Sequence, residues 1–134
     1  MSVMPPKSVL LVEDDELLRE CLCEMLGEAG WQVAGAASAT EALAQMEQDG
    51  TPDVLVTDLS LGPEMSGLGL IAAARRQWSH FRAVLMSGAD MSELTLNRGD
   101  RFLGKPFRMD ALIQAVTEAA AQLAPSDCRT AAGP

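Results

Sequence analysis

The chain has no tyrosine, two tryptophans, three phenylalanines and a single histidine among its 134 residues. So few aromatics leave little with which to stack a flavin ring. Basic residues are also scarce: ten Lys and Arg stand against nineteen Asp and Glu, for a net charge of -9. Phosphate backbones and anionic bilayer surfaces repel such a chain, which argues against direct contact with nucleic acid or membrane. No apolar run approaches the roughly 20 residues that cross a bilayer. The first seven residues carry no basic segment followed by a long apolar core, so no signal peptide is expected. Three cysteines are too few for a disulfide framework. Cys21 and Cys23 fall on different sides of any helix, and Cys128 lies near the end. A reduced, cytoplasmic location is the expectation. His80 reads as a loop residue rather than a phosphoryl carrier.

What is present is a regular alternation. The apolar fraction, 48%, suffices for one core, and the length suits one domain. The aliphatic run 8–12 reads as a strand buried on both faces. Residues 16–29 carry Leu18, Leu22, Met25 and Leu26 at helical spacing, with Gly30 where a helix C-terminal glycine belongs. A weaker strand follows over 32–36. Ser38 and Glu41 form a capping-box signature that opens a helix to about residue 48. A third strand spans 54–57 and ends at Asp58. A loop over 61–65 leads to a helix over 68–77 and then a strand over 83–87. Residues 91–96 have room for only a short helix. A fifth strand is expected over 101–105, stopped by Pro106. A last helix over 109–123 has Leu112, Val116, Ala119 and Leu123 on one stripe. Residues 7–124 are thus expected to form one domain, and 125–134 a frayed tail.

Five short aliphatic strands with connections of crossover length predict an α/β fold. It is a three-layer, doubly wound, five-stranded parallel sheet, in the common flavodoxin-like order 2-1-3-4-5. Sites in such sheets form outside the strands' C-terminal ends, where strand order reverses. There the first strand ends in Glu13, Asp14 and Asp15, the third in Asp58, the fourth in Ser87 and the fifth in Lys105. In that order Glu13, Asp14 and Asp58 converge, and their mutual repulsion calls for a cation. Hard oxygen ligands select Mg²⁺, Mn²⁺ or Ca²⁺, and an open carboxylate cluster that also expects phosphate oxygens favours Mg²⁺. The Lys105 ammonium and the Ser87 hydroxyl suit a phosphoryl group, and Asp58 is placed as a carboxylate nucleophile. Asp15 and Glu16 read as helix N-terminal acids favoured by the dipole.

These residues resemble the receiver domain of two-component response regulators. The matching stretches are Val12-Glu13-Asp14-Asp15, Val56-Thr57-Asp58, Met65-Ser66-Gly67, Leu85-Met86-Ser87-Gly88 and Lys105-Pro106-Phe107. The resemblance covers nearly the whole chain, about 7–123. It implies that Asp58 is the phosphoacceptor, that Asp14 binds Mg²⁺ directly and that Glu13 acts near the metal, largely through water. The Ser60 main-chain carbonyl would be a further ligand. Ser87 and Lys105 would contact the phosphoryl group, and the Lys105–Pro106 bond would be cis. Phe102 falls at the family's aromatic switch position, although the residues alone allow plain core packing there. The short stretch from Ser87 to Lys105 looks more like receivers carried on hybrid sensor kinases.

The implied function is a phosphorylation-controlled switch. Its partners would be a histidine kinase or histidine phosphotransfer protein upstream and an unidentified protein downstream. A phosphorelay fragment of a larger hybrid kinase is the alternative. An aspartate-nucleophile phosphatase of the haloacid-dehalogenase type is disfavoured, because Asp58-Leu59-Ser60 lacks the second Asp. A flavodoxin-like carrier is disfavoured too, because Glu13, Asp14 and Asp15 would repel the cofactor's phosphate.

Overall fold

Short β-rich runs become strands here because helices cover both of their faces. The structure is a computed structural model that describes residues 7–61, 65–78, 80–88 and 100–121. In chain order it has β1 (Ser8–Val12), α1 (Glu16–Glu28), β2 (Gln32–Ala36), α2 (Ala39–Asp49), β3 (Val54–Asp58), α3 (Gly67–Gln77), β4 (Arg82–Ser87), β5 (Arg101–Gly104) and α4 (Met109–Ala121). The strands are parallel in the order β2-β1-β3-β4-β5, as the alternation predicts. The short helix expected over 91–96, most of the 61–65 loop and the tail lie outside the described residues. Leu123, expected on the last helix, does too.

The central strand β3 is buried along its whole length, which only a sheet covered on both sides requires. On one side Leu10, Val12, Leu55 and Leu85 pack with Met46 of α2 and Leu70 and Ala74 of α3. On the other, Leu11, Val56, Val84 and Met86 pack with Leu22 and Leu26 of α1 and Leu112 and Val116 of α4. The edge strand β2 alternates between exposed and half-buried until Ala36, which accounts for its weak sequence signal.

Helix ends follow local side-chain chemistry. Asp15 and Ser38 accept hydrogen bonds from Leu18 N and Glu41 N and so cap α1 and α2. The Glu41 carboxylate reaches back as a capping box should, but to the Ala37 N–H rather than that of Ser38. Gly30, just past α1, has φ of 105°, a backbone that side-chain-bearing residues avoid. Ser66 caps α3, so that helix starts at Gly67, one residue earlier than its apolar pattern suggests. A Cβ on Gly67 would overlap the Asp58 carbonyl oxygen, and the Gly67 N–H donates to Leu59 O at 2.7 Å. Glycine therefore lets α3 start directly against the end of β3. Strand β4 starts at Arg82, whose N–H donates to Asp53 O at 3.0 Å. Strand β5 ends at Gly104 rather than Lys105.

One polar cluster ties the far end of α3 to the entry of β5. Arg75 pairs with Asp100 through two parallel bonds of 2.7 and 2.8 Å. Asp100 Oδ1 also accepts from the Ala83 N–H at 2.9 Å. The guanidinium lies over the Phe81 ring, 4.9 Å from its centre. The Asp100 side chain is only 3% exposed. Every polar partner it needs is supplied by the protein, as a buried charge demands.

Candidate functional site

The strand register assembles the site as a staircase. Val12 of β1 stands level with Thr57 of β3, so Glu13 comes beside Asp58. Asp58 pairs with Met86, placing Ser87 one step further along β4. Ser87 in turn is level with Gly104, so Lys105 leaves β5 one step beyond it. Each side chain is therefore placed by a rigid strand end rather than by a free loop.

Lys105 Nζ donates to Asp58 Oδ2 at 2.5 Å and lies 3.5 Å from Glu13 Oε1. Asp58 Oδ1 accepts from the Ser60 N–H at 3.0 Å. Ser87 is buried at the end of β4, and its carbonyl accepts from the Lys105 N–H at 2.7 Å. The Lys105–Pro106 peptide is cis. Burial works against the Lys105 ammonium, but the Asp58 hydrogen bond and the Glu13 charge outweigh it and raise its pKa. Glu13 is 2% exposed, while Asp14 beside it is exposed at the mouth. Phe102, on β5, has 37% of its surface exposed, so the ring is partly covered and partly open to solvent.

Glu13 shows that negative charge is crowded here. Its pKa is pushed up to about 7, mainly by burial and further by its bond to Asp14 and the charge of Asp58. The Asp15 N–H, 3.2 Å from Oε2, and Lys105 work the other way. Glu13 Oε1 is buried with no hydrogen-bond partner among the described residues. An orphaned carboxylate oxygen amid other carboxylates fits a hard divalent cation. Among the described residues no three acidic, thiol or imidazole groups form a finished ligand cage. Of the carboxylates expected to converge, Glu13 and Asp58 are brought together in the buried part and Asp14 stays at the rim. That arrangement suits Mg²⁺, which takes one or two carboxylates and keeps several waters.

A pH dependence follows for metal-free protein. Because the folded pKa of Glu13 lies above its ordinary 4.5, ionising it disfavours the fold. Stability is favoured below about pH 4.5 and lost as pH rises through about 7. Glu13→Gln in chelator should therefore gain about 1–3 kcal/mol over the parent chain at about pH 8 and little at about pH 4.5. Urea unfolding at both values reads this, and an equal difference at both would contradict it.

Residues 9–117 match a sequence model described as the response regulator receiver domain. The chain therefore belongs to the receiver domain family of two-component response regulators. It is 31% identical over 113 residues to the probable transcriptional regulatory protein TcrX of Mycobacterium tuberculosis, covering 81% of this chain and 47% of that protein. It is 34% identical over 116 residues to the sensor kinase CckA of Brucella abortus, covering 83% of this chain and 12% of that one. The chain spans about half or less of the length of the curated relatives it matches. A receiver domain protein from Methanospirillum hungatei JF-1 superposes with a TM-score of 0.79 at 25% identity, over 89% of this chain and 97% of that one. A sensor protein from Polaromonas sp. JS666 gives a TM-score of 0.74 at 26% identity, over 90% of this chain and all of that one (100%). Among the described residues no helix is long and apolar enough to cross a membrane.

Reading the sequence missed three contacts around the site. Arg19 of α1 donates to the Glu13 main-chain oxygen at 2.8 Å. Gly67 abuts Asp58, and Asp100 anchors the strand that carries Lys105. Only the Met65-Ser66-Gly67 stretch carried a signal, and it was matched as a motif without its steric cause.

Proposed function

We propose that this domain, residues 7–124, is a phosphorylation-controlled switch in which Asp58 takes a phosphoryl group from a phosphohistidine of a sensor kinase or histidine phosphotransfer protein. The observation that carries it is the Lys105–Asp58 pair at 2.5 Å beside the orphaned Glu13 oxygen, at the sheet's switch point. In the transfer an Asp58 carboxylate oxygen forms a bond to phosphorus. The phosphorus–nitrogen bond breaks, and the imidazole leaves with its electron pair and takes up a proton. Lys105 moves from the carboxylate to the phosphoryl oxygens, and the Ser87 hydroxyl donates to another of them. Asp14, Asp58, the Ser60 main-chain carbonyl and, largely through water, Glu13 would hold Mg²⁺. When bound, Mg²⁺ supplies positive charge against the phosphoryl oxygens.

The domain's part is that of phosphoacceptor rather than of a turnover enzyme. The added charge would draw Ser87 toward it and let Phe102 rotate inward, altering the face formed by β5 and α4 for an unidentified downstream protein. The net charge of -9 favours a protein partner over direct nucleic acid or membrane contact, in the cytoplasm. The likeness to a sensor kinase supports a second setting, as a relay receiver within a larger hybrid kinase.

Incubation with acetyl phosphate and Mg²⁺ should add the mass of one phosphoryl group to the intact chain. Chelator should prevent this, and so should Asp58→Ala. An Asp58→Ala chain that gains the same mass would overturn the assignment.

A further inference from the structure

Asp14 is exposed and its side chain meets the Glu13 carboxylate, so its direction depends on how the Glu13–Asp14 peptide is held. The peptides on either side of Glu13 are both held. The Glu13 N–H donates to Ala36 O at 3.0 Å, which fixes the entry to the loop. The Glu13 carbonyl accepts from Arg19 Nη1 at 2.8 Å. A peptide unit is planar, so the Glu13 oxygen and the Asp14 Cα move as one rigid body. The guanidinium therefore sets the angle at which Asp14 leaves the strand end.

Arg19 reaches that carbonyl by crossing β2 at Gly35. A Cβ on Gly35 would stand 3.3 Å from Arg19 Cδ, 3.4 Å from Arg19 Cγ and 3.2 Å from Cys23 Sγ. Those are tighter than ordinary packing, so any side chain there must push the Arg19 stem aside. Glycine is a poor choice for a strand on propensity alone. The lane it leaves for Arg19 accounts for its presence.

We propose that Arg19 is a positioning residue for the Mg²⁺-binding acids, with Gly35 as the cleared lane that lets it reach. The inference rests on the metal role proposed above for Asp14 and Glu13. In this proposal Arg19 is neither a metal ligand nor a phosphoryl contact. It acts through the Glu13 peptide, so its loss should weaken Mg²⁺ binding while leaving the Lys105–Asp58 side of the site in place.

Calorimetric titration of Mg²⁺ into the full chain tests this. Arg19→Met keeps the apolar stem and removes the donor, and should weaken Mg²⁺ binding about 10-fold, the scale seen when a ligand's supporting contact is removed. Arg19→Lys keeps one donor and should recover part of that loss. Gly35→Val improves strand propensity yet displaces the stem, and should weaken binding by a similar factor. In an Arg19→Met background the same Gly35→Val change should have no further effect on Mg²⁺ affinity. Beryllofluoride affinity at saturating Mg²⁺ should stay within about 2-fold of the parent chain in all of them, a result that general unfolding would not give. If the parent chain binds no Mg²⁺, the metal role itself fails, and this inference with it. If the parent binds and Arg19→Met binds equally well, the inference alone fails. It also fails if Gly35→Val costs as much without Arg19 as with it.

Discussion

Replacing Asp100 by Ala should remove about 3–5 kcal/mol of stability, a large share of the roughly 5–15 kcal/mol that holds a domain together. The change strands two groups at once. The Arg75 guanidinium, with 18% of its side chain exposed, loses its bidentate partner, and the Ala83 N–H loses its acceptor. Removing both charges together should cost far less, since an apolar pair of similar volume avoids the desolvation of both ions. Arg75→Met with Asp100→Leu should therefore be more stable than Asp100→Ala. Urea unfolding measures all three chains. A loss below about 1 kcal/mol for Asp100→Ala would show that the cluster is a solvated surface pair. Asp100 directly precedes β5, so its loss should also loosen the strand that presents Lys105.

Lys105→Met should divide two properties that ordinary damage would lower together. Phosphorylation by acetyl phosphate should slow by about 10²–10³-fold, the usual effect of removing one preorganised charge from a transferring group. Mg²⁺ affinity should rise. In the unphosphorylated site the ammonium already sits on Asp58 Oδ2 and faces the orphaned oxygen of Glu13, so it competes with a cation for the same charge. Calorimetry and intact-mass time courses on one preparation give both values. A fall in both would mean that Lys105 merely holds the fold.

The fold was legible because its signals are local. Three aliphatic runs bounded by helical patterns locate β1, β3, β4 and the core, and the strand ends then name Glu13, Asp58, Ser87 and Lys105. Boundaries slipped by a residue where a side chain overrides the pattern. Gly67 looks like loop but opens α3, because Ser66 caps it and Asp58 O leaves no room for a Cβ. Arg82 looks like solvent-facing loop but pairs in β4 with Val54. The Arg75–Asp100 pair was not legible at all, since the partners stand 25 residues apart and an acid before a strand reads as a solvated turn. Arg19 was hidden for a related reason: its partner is a main-chain oxygen, which has no letter in the sequence.

The central claim is that one carboxylate, Asp58, carries the phosphoryl group. An acyl phosphate can be trapped by borohydride, which reduces the activated carboxyl and leaves homoserine in its place. After acetyl phosphate and Mg²⁺, peptide mass mapping should find homoserine at position 58 and unchanged acids at 13, 14 and 15. Homoserine at one of those three positions, or none anywhere after the intact chain has gained a phosphoryl group, would contradict the account.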